Sequence, residues 1–403
     1  MTNLITDVTA AIITDSRGTP TISVSITAGE CTGSFSVPGG ASTGSREVAV
    51  LDPSQAVQII EDKIKPALIG ADVTQQAKID ALLHELDQST LFSTIGGNVA
   101  LGVSVAAAKT AALVSLMPTW QYVALLFGQP SQAAAPRLFV NLINGGKHAI
   151  HGSAIQEHQI IVDTDNVSDA YMIACRVQLA LKEILENVYG ANLVTQGDEG
   201  GFVIPSKTVF EPFDYLQQAI DAVKSSVPIY IGADIAASSF YTEAGYTLDG
   251  EVHTPESLVA FYQALHAHVP ALRYVEDPFY ESDFQSYSKY AREHQEVVVI
   301  GDDLTTTNVS MLTQAIAHAA IGGIIIKPNQ IGTLSDTLQT MQVAYAHGIK
   351  CIVSHRSGET MDDFIADLAF GTRCFGLKAG APQAKEREAK YQRLIHITQM
   401  NHD

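Results

Sequence analysis

Six apolar runs in the second half of the chain each stop at an ionisable side chain. VPIYIGAD ends at Asp234, ALRYVED at Glu276 and Asp277, and EVVVIGDD at Asp302 and Asp303. IGGIIIK ends at Lys327, KCIVSH at His355 with Arg356 and Ser357 behind it, and RCFGLK at Lys378. The stops are 23 residues (355 to 378) to 42 residues (234 to 276) apart. Three carboxylates brought together resist ionisation unless a cation lies between them. An all-oxygen set of that kind suits Mg²⁺, which makes Asp234, Glu276 and Asp302 candidate ligands. Taken singly, each reads better as a helix cap or a solvated loop acid. Burial and a nearby like charge both lower a lysine pKa, so Lys327 is a candidate general base. Lys378 or the metal then holds the negative charge that develops. Arg356 offers a planar fork for phosphate or carboxylate. Ser357 and the amides opening the next helix, GETMDDFIADLAFG, add donors. GDEGG (197–201) presents Glu199 among glycines that allow close approach of a substrate. His148 and Glu157 lie near the first strands of this half, in NGGKHAIHGSAIQEH. PGGASTG (38–44) is rich in small and hydroxyl residues and has the character of a lid.

These groups need strands that all point one way. Continuous apolar runs read as strands buried on both faces, which a parallel sheet requires. Helical patterns such as TPESLVAFYQALHAH alternate with them, and that alternation predicts a (β/α) barrel with its chemistry at the C-terminal strand ends. The start is irregular. FVNLIN and SAIQEHQIIV are separated only by GGKHAIHG, too short for a crossover helix, and two helical patterns follow. The fold class is therefore α/β: a C-terminal (β/α)8-type barrel with a ββαα start over 131–403, preceded by a smaller α+β N-terminal domain over 1–130. The smaller domain is expected to hold strands at 4–14, 20–28 and about 32–37, then helices over about 54–127, with GQPSQAAAP (128–136) as linker.

A formal net charge of −19 argues against nucleic acid, because phosphate binding needs a basic patch. No uninterrupted apolar stretch long enough to span a bilayer and no basic-then-apolar start were found, so no membrane partner and a cytoplasmic location are expected. Cys31, Cys175, Cys351 and Cys374 lack paired spacing and read as free thiols in a reducing compartment.

The motifs in order resemble enolase (phosphopyruvate hydratase) over nearly the whole chain: DSRGTPT, VPGGASTG, NGGKHA with IQEH, GDEGG, VEDPF, GDDLTTTN, KPNQIGTL, SHRSGET and KAGAP. The resemblance implies reversible dehydration of 2-phosphoglycerate to phosphoenolpyruvate. It implies that Asp234, Glu276 and Asp302 hold a first Mg²⁺, and that Ser42 in the lid ligates a second one arriving with substrate. It implies Lys327 as the base at C2, and Glu199 as the acid at C3 with Glu157 beside it. By the same resemblance Lys378 would contact the substrate carboxylate, Arg356 and Ser357 would bind its phosphate, and His148 and Gln156 would line the pocket. A homodimer is also implied, with Arg17 near the interface. Departures from the family pattern are Thr19, Gly39 in the lid, Lys147 and His151 beside His148, and Ala379. Two other readings were weighed: a dehydratase of the same superfamily acting on another acid, and a scaffold that keeps the fold with little activity.

Overall fold

A computed structural model describes residues 2–40, 46–128, 135–146 and 152–400. Strands β1 (Ile5–Thr14), β2 (Pro20–Ala28) and β3 (Cys31–Ser36) form an antiparallel meander in that order. Alternation in β2 buries Ile22, Val24 and Ile26, which pack with Phe35 against helix α2 (Gly97–Val114). The approach is close: a Cβ at Gly102 would lie 2.5 Å from Val24 Cγ2, and one at Gly33 2.5 Å from the Thr110 amide nitrogen. Helix α1 (Gln76–Asp87) precedes α2 and helix α3 (Thr119–Phe127) follows it. The earlier segment is helical over Pro53–Ile59, passes through a π turn at Ile60–Ile64 and regains α geometry at Lys65–Leu68. Pro66 has no N–H to complete the ordinary ladder just there.

Helix α2 corrects the expectation that nothing is long and apolar enough to cross a membrane. It meets that criterion at 18 residues, yet 83% of it is buried inside the protein. A helix apolar all round is the central element of a core.

The barrel strands are β4 (Arg137–Asn144), β5 (Glu157–Val162), β6 (Ile229–Asp234), β7 (Leu272–Glu276), β8 (Val298–Gly301), β9 (Gly323–Ile326), β10 (Lys350–Ser354) and β11 (Gly376–Lys378). Pairing of β11 with β4 closes the barrel. Strand β5 runs antiparallel to both neighbours, and the other barrel pairings are parallel. Its first residue, Glu157, therefore sits opposite the last residues of β4 and β6, Asn144 and Asp234. Asp234 in turn pairs with Glu276, and Ser354 with Lys378. Phe139, Ile161, Tyr274, Ile300, Ile325 and Ile352 form a cluster of their own, one from each of six strands. Asn141, Glu276, Asp302, Lys327 and Ser354 each follow a cluster member by two positions, and Gln159 and Glu157 precede Ile161 by two and four. Period-2 alternation thus stands the polar groups directly above an apolar floor inside the barrel. At the same level β6 and β11 carry Gly232 and Gly376, where a Cβ would meet Ile161 Cδ1 at 2.9 Å and the Phe139 ring at 2.5 Å.

A three-stranded meander (Tyr241–Thr242, Gly245–Leu248, Glu251–His253) follows β6, which the sequence reading did not anticipate. A second correction concerns the segment after β10. Its helix begins at Phe364, so Ser357 lies in a loop and the amides near it do not belong to a helix N-terminus.

Candidate active site

Lys378, the last residue of β11, points its ammonium into a nest of acids. Its Nζ lies 2.8 Å from Glu276 Oε2, 3.2 Å from Glu157 Oε1 and 3.4 Å from Asp234 Oδ2. All four side chains are buried. Gln156 Nε2 donates to Asp234 Oδ2 at 3.2 Å and Gln159 Nε2 to Glu157 Oε2 at 2.8 Å. Burial drives the pKa of Glu157 and of Glu276 well above the carboxylate range; the charges of Glu199 and Asp234 respectively reinforce this, and Lys378 opposes it. Burial acts downward on Lys378, but Glu157, Glu276 and Asp234 outweigh it and hold the ammonium well above its ordinary value.

Lys327, following β9, forms a close ion pair with Asp302 Oδ2. Gln330 Nε2 donates to Asp302 Oδ1 at 3.1 Å. Burial raises the Asp302 carboxyl, but the Lys327 charge prevails and the net shift is downward. Lys327 is pushed down by burial and up by Asp302, with a net rise. The expected lowering of the two lysine pKa values is thus reversed, because each ammonium faces carboxylates at contact distance. Behind this pair, Asp277 accepts the Asp302 amide at 3.0 Å, the Asp303 amide at 2.6 Å and the Tyr287 hydroxyl at 2.8 Å. Burial and the Asp302 charge push Asp303 up to about 7.

On the opposite wall, Asn141 Nδ2 donates to Glu199 Oε2 at 2.8 Å, and His355 Nε2 lies 3.5 Å from Glu199 Oε1. Arg356 NH1 reaches Glu47 Oε2 at 3.1 Å and Asn329 Oδ1 at 2.6 Å. Glu47 follows the lid segment, so the smaller domain supplies part of this wall. Gly39 and Gly358 exchange backbone hydrogen bonds of 2.7 and 2.8 Å, pinning the base of that segment to the loop of Arg356 and Ser357. A Cβ at Gly358 would lie 2.2 Å from Asp15 Oδ2. One at Gly39 would meet only that oxygen, at 3.5 Å.

The structure brings Gln156, Glu157, Glu199, Asp234, Asp302, Lys327, Arg356, Ser357 and Lys378 around one cavity, with Glu47 and His355. Ser42, Lys147, His148 and His151 lie outside the described residues. Among the described residues, two groups of ligand-type side chains converge within 4.8 Å: Glu157 with Glu199 and His355, and Asp277 with Asp302 and Asp303. The expected ligands Asp234, Glu276 and Asp302 share the same barrel end, where the ammonium groups of Lys378 and Lys327 neutralise them. Carboxylate oxygens are the donors a hard divalent cation takes, but these three do not form one of the two convergent groups, and ammonium groups stand among them. Glu47, Asn141, Gln159 and Arg387 were missed in the sequence reading. Asn329 and Gln330 stood in the quoted KPNQIGTL segment but carried no assignment, since an amide side chain has no sequence signal of its own.

A family model described as the enolase N-terminal domain matches residues 5–123, and one described as the enolase C-terminal TIM barrel domain matches residues 132–402. Among curated relatives named enolase, that of Methanocaldococcus jannaschii is 38% identical over 98% of this chain and 95% of its own length. That of Sulfurisphaera tokodaii is 39% identical over 96% and 93%, and that of Methanopyrus kandleri 37% identical over 98% and 95%. With both domain models matched in order and identity sustained end to end, the chain belongs to the enolase family.

Proposed function

We infer that Lys327 removes the C2 proton in this chain's reaction, the reversible dehydration of 2-phosphoglycerate to phosphoenolpyruvate in glycolysis and gluconeogenesis. Family membership implies a small-molecule substrate and a divalent metal. The supporting observation is that Lys327, Glu199, Arg356 and Lys378, distant in sequence, line one buried cavity at the C-terminal end of the barrel. Arg356 binds the phosphate through its guanidinium fork, with Ser357 beside it. Lys378 faces the substrate carboxylate, where charge builds as the proton leaves. Glu199 delivers a proton to the departing C3 hydroxide, with Glu157 beside it. Gln156 lines the pocket, and the family resemblance assigns His148, which lies outside the described residues, the same role. Asp234, Glu276 and Asp302 would hold Mg²⁺, and Ser42 would hold a second ion arriving with substrate; the metal would supply positive charge against the carboxylate dianion formed when the C2 proton leaves. The family resemblance assigns the segment 38–44 the role of a lid that would exclude water and strengthen these interactions; residues 41–44 lie outside the described residues.

The chain divides near residue 130 into a lid-bearing domain and the catalytic barrel. It works as a cytoplasmic homodimer with Arg17 near the interface, without nucleic acid or membrane partners. The test is phosphoenolpyruvate absorbance from 2-phosphoglycerate plus Mg²⁺, with EDTA and Lys327→Ala controls. Metal-dependent activity lost in the variant supports the assignment. A folded, Mg²⁺-binding protein without activity overturns it.

A further inference from the structure

Arg387, in the last helix (Lys385–Met400), is the largest side chain buried without exposure. Its guanidinium joins two active-site loops. NH1 donates to His355 Nδ1 at 2.6 Å and to the Arg356 carbonyl, while NH2 donates to the Ser357 carbonyl at 2.7 Å and the Asp198 carbonyl at 3.1 Å. A guanidinium only donates and stays protonated at any working pH. His355 Nδ1 must therefore accept. His355 is buried, and burial holds its pKa well below the ordinary histidine value, so the ring is neutral and carries one proton. That proton is on Nε2, which has no hydrogen-bond partner of good geometry and lies 3.5 Å from Glu199 Oε1. The opposite tautomer would set N–H against N–H at Arg387 and a lone pair against the Glu199 carboxylate. Gly380, at φ +77°, closes the cage: a Cβ there would sit 3.0 Å from His355 Cε1 and 3.1 Å from Arg387 Cδ.

We propose that Arg387 is a positioning residue for the reaction: it selects the Nε2–H tautomer of His355, which puts the ring's one proton on the nitrogen that lies 3.5 Å from Glu199 Oε1, while tying the Asp198 loop to the Ser357 loop. Asn141 donates to Oε2 of Glu199, and His355 Nε2 lies 3.5 Å from its Oε1. The inference rests on Glu199 as the acid of the reaction.

The experiment uses full-length protein carrying ¹⁵N-histidine, with the His355 signals assigned by their loss in His355→Gln. Ring ¹⁵N shifts report the tautomer in the resting enzyme, and kcat and KM are measured alongside. Wild type is expected to show Nδ1 unprotonated and Nε2 protonated. Arg387→Gln, whose amide can donate or accept, is expected to mix the tautomers and lower kcat about 10- to 100-fold, the range for groups that orient an active-site residue through a hydrogen bond, with a smaller change in KM. Arg387→Lys keeps a donor-only cation and should keep the wild-type tautomer with a smaller loss. A protonated Nδ1 in wild type overturns the proposal, as does Arg387→Gln with the wild-type kcat, whichever tautomer it shows. If Arg387→Gln fails to fold, the wild-type tautomer and the Arg387→Lys kinetics decide. The tautomer is read without turnover, so wild type with the expected tautomer but no activity would count against the reaction assignment and leave the role of Arg387 in fixing the ring intact.

Discussion

Arg356 and Glu47 form a buried ion pair between the barrel and the smaller domain, with NH1 and NH2 each 3.1 Å from Glu47 Oε2. Both side chains are almost fully buried, so neither charge is satisfied by bulk water. A substrate phosphate entering beside Arg356 would be a second anion on the same guanidinium. The smaller domain thus holds Arg356, the proposed phosphate ligand, in place before substrate arrives.

Breaking this pair leaves a buried charge uncompensated, which typically costs about 3–5 kcal/mol. Glu47→Gln is therefore expected to lower the melting temperature of the free enzyme. Inorganic phosphate should raise that temperature more in the variant than in wild type, because it replaces the missing anion. Differential scanning fluorimetry with and without phosphate checks this, and equal phosphate effects in the two proteins would refute it.

Chelation should abolish activity, and added Mg²⁺ should restore it. Asp234→Asn is expected to raise the Mg²⁺ concentration needed for half-maximal rate, since it removes one carboxylate from the proposed ligand set while Gln156 and Lys378 remain to pack around the amide. A Mg²⁺ titration of initial rates is the measurement. Unchanged Mg²⁺ dependence would exclude Asp234 as a ligand.

Lys327→Ala should reduce kcat by about 10² to 10⁴, the usual worth of a positioned acid or base. The variant should still fold, because Gln330 continues to donate to Asp302. Rapid-quench or steady-state kinetics together with circular dichroism separates lost chemistry from lost structure. Folded Lys327→Ala with near-wild-type turnover would rule out the base assignment.

His158 is fully buried against Phe213, and burial lowers its pKa from 6.5 to about 4. Below pH 6.5 the unfolded chain takes up a proton that the folded chain refuses. Stability is therefore fully present above pH 6.5 and is lost as pH falls toward 4, by about 3 kcal/mol for this one group. His158→Gln should flatten the wild-type dependence of unfolding free energy on pH across that window. Denaturant titrations between pH 4 and 7 measure it, and identical slopes would contradict the expectation.

The chemical groups were legible because six of the eight barrel strands, β6 to β11, are apolar runs that stop at or one residue short of an ionisable side chain. Asp234, Glu276, Asp302, Lys327 and Lys378 mark the ends of their strands in the sequence and in the structure alike. The irregular start was legible too, since GGKHAIHG is too short for anything but antiparallel pairing of β4 with β5. The meander at 241–253 was not, because its strands are two to four residues long and carry no sustained periodicity. The sequence reading placed helix α2 in the smaller domain, and the surrounding sheet and helices show that the core claims most of it.

The sequence by itself determined which residue types end the strands, the spacing between them and the family pattern they make, because period and composition are local properties of the chain. Only the tertiary structure decided what each group faces. Closure of the barrel places Lys378 against acids from three other strands, which reverses the shift that burial alone would impose on a lysine. Docking of the smaller domain brings Glu47 to Arg356, and the last helix brings Arg387 to His355. Electrostatic energy falls off over a few ångströms of space, whatever the separation along the chain. Partners 309 and 32 residues apart in sequence therefore set the state of groups that the sequence could only name.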